Sequence, residues 1–141
     1  MKAMKVLVAG AVVAVGAAAA SWSGESVTPK FEHSISNIPG KSLITVEVVF
    51  PPGDVSIPHH HAPSAFLYVY VLSGTIRSQV EGEAAHTYHA GESWFEAPGA
   101  HHVLAQNMSK TRPAKILAVF VVDSNDKALV TPDSAPGKDH E

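Results

Sequence analysis

Gly53-Asp-Val-Ser-Ile-Pro-His59-His60-His61 and, later in the chain, Gly91-Glu-Ser-Trp-Phe-Glu-Ala-Pro-Gly99-Ala-His101-His102 are the residues on which the reading of this sequence turns. Side chains alternate along a β-strand with a period of two, so His59 and His61 share one face and His60 takes the other. Neutral imidazole is the commonest protein metal ligand. A third imidazole from a distant strand would complete three ligands and leave positions open, which is the arrangement of a catalytic metal site and not of a closed structural one. His101 and His102 compete for that third place. Whichever of the two ligates, strand parity turns the other outward or towards the mouth of the site.

The surroundings of these segments read as strands. Residues 43–50, 66–72, 75–80, 93–96 and 115–122 are rich in β-branched and aromatic side chains. They are separated by turn signals at Pro51-Pro52-Gly53, Ser73-Gly74, Glu81-Gly82-Glu83 and Pro98-Gly99. Short strands between regularly spaced Gly/Pro turns predict an all-β sandwich or barrel. No segment beyond the N-terminal twenty residues shows helical periodicity, and no internal repeat is visible.

The two histidine segments resemble the two motifs of the cupin superfamily. Gly53, His59 and His61 fit the first motif, with Gly74 as its closing glycine. Gly91, Gly99 and His102 fit the second at full spacing, with Pro98 displaced by one and Gln106 where the motif has Asn, Asn107 following it. The resemblance implies a cupin double-stranded β-helix, or jelly-roll barrel, over residues 41–123. It also implies one divalent metal held by His59, His61 and His102. The motif's metal-binding Glu falls at Ala65 counted from His61, or at Leu67 counted back from Gly74, because two extra residues lie in Ala62-Pro-Ser-Ala-Phe-Leu67. An even insertion preserves strand parity. The expected site is therefore three-histidine, as in thiol dioxygenases and diketone-cleaving dioxygenases, with Gln79 and Glu96 as candidates for a fourth ligand or a residue behind the ligands.

Fe(II) is the metal implied first, and imidazoles also suit Zn, Mn, Ni or Cu. The implied activity is that of an oxidoreductase of dioxygenase type on an enolisable or phenolic substrate. A redox-neutral isomerase, lyase or decarboxylase and a non-catalytic small-ligand binder are the alternatives. Glu96 is expected at the barrel rim in solvent, or else as a ligand or general base. Together with His101 it is the candidate for proton transfer. Tyr68 and Tyr70 have the outward parity and would serve, by analogy with dimeric cupins, as a homodimer face.

Composition narrows the partners. A formal charge of −3 without basic runs argues against nucleic acid. The absence of Cys excludes disulfides, thiolate ligands and a Cys nucleophile. Lys2 and Lys5, the apolar run 6–20 and the small residues Ala18-Ala19-Ala20 predict a signal peptide over 1–20 and an exported, periplasmic or secreted protein, without stable membrane insertion once the signal is removed. Residues 21–40 read as an arm and 124–141 as a tail that is loose or packs across a neighbour.

Overall fold

The computed structural model describes residues 24–133, so the segment read as a signal peptide lies outside the described residues. Within them the regular structure consists of strands, and no helix occurs. The strands are β1 (Ser26–Ser34), β2 (Lys41–Phe50), β3 (His59–His61), β4 (Phe66–Ser73), β5 (Thr75–Val80), β6 (His86–His89), β7 (Ser93–Glu96), β8 (His101–Asn107), β9 (Ala114–Asp123) and β10 (Val130–Pro132). They form two five-stranded sheets, ordered β1-β2-β9-β4-β7 and β10-β3-β8-β5-β6. The expected all-β jelly roll is the fold observed.

The hydrophobic alternation of the sequence explains how the sheets face each other. Along β9 every second residue is buried: Ala114, Ile116, Ala118, Phe120 and Val122 point inward. Leu67, Val69 and Val71 do the same on β4, and Ile76 on β5. Tyr68, Tyr70 and Phe95 lie on the outer face and are exposed, as the parity of β4 requires. The inserted Ala62–Leu67 segment does not disturb this phase. Ser64 anchors it, donating to Asp126 and accepting from the Asp123 amide.

Two expectations about the chain's ends are corrected. The predicted arm contains β1, which runs antiparallel to β2 as a sheet edge, with a bulge between Pro29 and Phe31. Its Pro and polar residues, which read as linker, suit an edge strand that needs no second partner. The predicted loose tail contains β10, which pairs with β3 through Val130↔His61 and Pro132↔His59.

A bulge also accounts for the late Asn. Val80 pairs with His102 but Gln79 pairs with Leu104, so Val103 is an extra residue in β8. The bulge lets His102, Ala105 and Asn107 all face inward although their numbers differ in parity. Asn107, 1% exposed, donates towards the Phe50, Pro51 and Arg112 carbonyls and accepts from the Ser109 amide. It thereby ties the turn before the first histidine segment to the strand of the second.

Gly74 closes the β4–β5 hairpin at φ +77°, where a Cβ would sit 2.8 Å from the Ala114 Cβ. Left-handed strain and a collision with a fully buried neighbour add together. Gly74→Ala is therefore expected to cost about 2 kcal/mol, read as a lower urea midpoint with an unchanged slope.

Candidate metal centre

The antiparallel pairing of β3 with β8 sets His59 opposite His102 and His60 opposite His101. Directly opposed residues share a face of the sheet. The register therefore builds two histidine pairs back to back, one inside the barrel and one outside. Inside, His59, His61 and His102 bring ligand atoms within 4.8 Å of one another. His61 and His102 are buried, and His59 is partly so.

Main-chain carbonyls orient two of these rings. A carbonyl only accepts, so His59 Nδ1–H donates to Ile57 (2.8 Å) and His61 Nδ1–H donates to Leu129 (3.2 Å). In each neutral ring this leaves Nε2 as the bare nitrogen, the tautomer a metal needs. His102 is held from β5, where the Ser78 hydroxyl lies 2.7 Å from Nε2.

Glu96 does not stand at a solvated rim. It is 2% exposed, with Oε2 3.0 Å from His61 Nε2 and Oε1 3.4 Å from His102 Nδ1. The register gives the reason. Glu96 on β7 is the direct partner of Leu67 on β4, one of the two positions where the motif's Glu falls. Opposed residues share a face, so a carboxylate from the neighbouring strand enters the space that the missing Glu would occupy. Trp94 Nε1–H fixes it by donating to Oε1 at 3.1 Å.

This contact tests whether a metal fits. His61 Nε2 and Glu96 Oε2 are both buried without a hydrogen-bond partner. With His61 Nδ1–H committed to Leu129, two lone-pair acceptors face each other at 3.0 Å. Such a pair is stable only with positive charge between its members. One divalent ion meeting three imidazoles and a carboxylate supplies that charge to all four groups, so the residues fit a metal.

Electrostatics keep the donors in ligating form. Burial lowers the His59 pKa to about 4, reinforced by His61 and His102 against the raising effects of the Ile57 carbonyl and Glu96. Burial likewise lowers that of His102. For Glu96, burial favours the protonated acid. The close approach of the His61 and His102 rings and the Trp94 hydrogen bond outweigh it and hold the carboxyl at about 2.

Two candidates lie elsewhere. Gln79 does not reach the cluster: Ile76 and Ser78 occupy the inner face of β5, so Gln79 takes the outer one and donates to the Glu83 carbonyl. His101 is on the outer face of β8, stacked on His60 with ring centroids 4.0 Å apart, where it cannot move protons for the inner cluster. A hydrogen bond with Asp133 raises its pKa, against some desolvation and with help from Glu81. The sequence reading missed Ser78, Trp94 and the Leu129 carbonyl. Inward parity on β5 marks Ser78, but nothing local marks a carbonyl brought in from the C-terminal strand.

The cluster opens on a cavity of about 820 Å³. Its walls are mostly apolar, with Val46, Val48, Leu67, Val69, Ile116 and Phe120 among them, and the exposed Lys30 and Lys127 are its basic residues.

Solved structures share this architecture. Oxalate oxidase in complex with glycolate is 25% identical with a TM-score of 0.56, over 73% of this chain and 53% of that one. The chain thus spans about half the length of that protein. An uncharacterised double-stranded β-helix protein from Klebsiella pneumoniae is 19% identical with a TM-score of 0.58, over 79% of this chain and 85% of that one. The cupin domain of an XRE family transcriptional regulator from Enterobacter cloacae is 21% identical with a TM-score of 0.56, over 68% and 94%. No curated protein matches the sequence. The cupin domain family model matches residues 46–120, more than half of the chain, across both histidine segments, and the protein belongs to that family.

Proposed function

We propose that this cupin is a metal-dependent oxidoreductase of dioxygenase type, acting on an enolisable or phenolic small molecule with a sizeable apolar body. The observation that carries the reading is the apolar cavity ending on a buried cluster of three imidazoles and one carboxylate. His59, His61, His102 and Glu96 would hold the ion. Fe(II) is the first choice, and the carboxylate also suits Mn(II). When bound, such an ion supplies Lewis acidity towards a substrate oxygen and, if iron, a redox centre for O₂.

The chain's own residues do the rest. The walls bind the substrate's hydrocarbon surface and keep water from the cluster. Phe120, edge-on to His61 with centroids 5.8 Å apart, packs the ligand ring in place. Lys127 and Lys30 line the cavity together with Glu25, Glu32 and Asp126, so its polar part is of mixed charge and suits a neutral hydroxyl or keto group on the substrate. With its carboxyl held at about 2, Glu96 keeps no proton at neutral pH, so it serves as a ligand and not as a proton carrier. The likeness to oxalate oxidase supports oxidative chemistry on this fold. The walls favour a different substrate, because a small dicarboxylate gains little from aliphatic surface.

In a dioxygenase both atoms of O₂ enter the substrate, and no external reductant is needed. Tag-free protein reconstituted with Fe(II) is therefore expected to take up O₂ in step with loss of a phenolic or 1,3-diketone substrate, and His61→Ala to abolish both. Equal turnover without oxygen would overturn the reading in favour of redox-neutral chemistry.

A further inference from the structure

The outer histidine pair repeats the logic of the inner one. His60 and His101 are stacked nearly parallel, at 5°. Asp133, just beyond β10, completes the group: the three side chains bring ligand atoms within 4.8 Å of one another. His101 Nε2 lies 2.8 Å from Asp133 Oδ2, and His60 Nδ1 lies 3.4 Å from Oδ1. The far nitrogen of His101, Nδ1, is held by Glu81 Oε2 at 3.2 Å. A carboxylate on the ring nitrogen opposite the donor is the usual orienting partner of a metal-bound histidine. In a neutral His101 ring that gives Nδ1–H to Glu81, the bare Nε2 faces a carboxylate oxygen.

Three adjacent strands fix this arrangement. Thr131 pairs with His60, and His60 pairs with His101. Asp133, two residues beyond Thr131, is held by its amide to the Pro58 carbonyl at 2.9 Å.

We propose that His60, His101 and Asp133 form a second divalent-cation site on the outside of the barrel, with a donor set that accepts a zinc-like ion and is oriented by Glu81. Two imidazoles and one carboxylate with a position left for water are a donor set zinc accepts. The ion would fasten β10 to β3 and β8. Because the Leu129 carbonyl orients His61, and Leu129 and Val130 line the cavity, the outer ion would also steady one wall of the inner centre.

The test is equilibrium dialysis of tag-free protein against Zn²⁺, followed by elemental analysis, on wild type, Asp133→Asn, His101→Ala and His61→Ala. Two ions per wild-type chain are expected, and one in each variant. Hydrogen exchange at the Val130 and Thr131 amides should slow with Zn²⁺ in His61→Ala but not in Asp133→Asn. Wild-type stoichiometry that is unchanged in both Asp133→Asn and His101→Ala would overturn the proposal. One ion kept in His61→Ala and lost in Asp133→Asn would uphold the outer site while removing the inner one. Asp133 is part-exposed and lies outside the barrel core, so its variant decides the matter even if His61→Ala fails to fold.

Discussion

Glu96→Gln is expected to leave the metal-free barrel as stable as the wild type, or more so, while weakening its hold on a divalent ion at the inner centre by at least roughly 10–100-fold. The two effects share one cause. In the metal-free wild type, Glu96 Oε2 and His61 Nε2 are buried acceptors 3.0 Å apart with no donor between them. The amide of Gln has nearly the same shape and turns an N–H towards His61 Nε2, while its oxygen still accepts from Trp94 Nε1. A repulsive contact becomes a hydrogen bond worth about 1 kcal/mol, and a buried charge disappears. The metal, in contrast, loses its one anionic ligand. The measurement is a thermal melt of metal-free protein beside a competitive metal titration. A large fall in metal-free stability with unchanged affinity would show that Glu96 is structural and not a ligand.

Why Glu96 was only half legible in the sequence is instructive. The parity of His59, His61 and His102 follows from local alternation, and the motif spacing selects His102 over His101. The inner triad and the jelly roll could therefore be read from one dimension. Glu96 could be suspected from its place beside the second motif, but its burial depends on the β4–β7 register that sets it opposite Leu67. Register between non-adjacent segments is tertiary information. The same holds for β10. Nothing near Val130 announces a strand, and its partner, the three-residue β3, lies far back in the chain. The late Asn107 looked like a mismatch to the motif. One extra residue at Val103 restores its inward direction, and a bulge leaves almost no mark in composition. Gln79 failed for a simpler reason, since a single step along β5 separates it from the inward Ser78.

Acid should begin to destabilise the metal-free protein well above the carboxylate range. The His59 pKa falls from 6.5 to about 4 on folding, chiefly through burial. Between those values the unfolded chain binds a proton that the folded one refuses, so stability is lost as pH falls from 6.5 towards 4. A shift of that size corresponds to about 3 kcal/mol once the window is crossed. His102, lowered in the same direction, adds to it. Urea unfolding at pH 7.5, 5.5 and 4.5 would follow this loss, and His59→Gln should flatten it by removing the half-buried imidazole. Metal bound at one hundred times its dissociation constant adds about 2.7 kcal/mol at pH 7.5. Because protons compete for the same nitrogens, that gain should shrink as the pH is lowered, making the loaded protein the more acid-sensitive of the two. A wild-type stability that stays level from pH 7.5 to 4.5 would mean that His59 is free to charge in the fold, and the inner cluster would then lack the dry environment that keeps its imidazoles ready for metal.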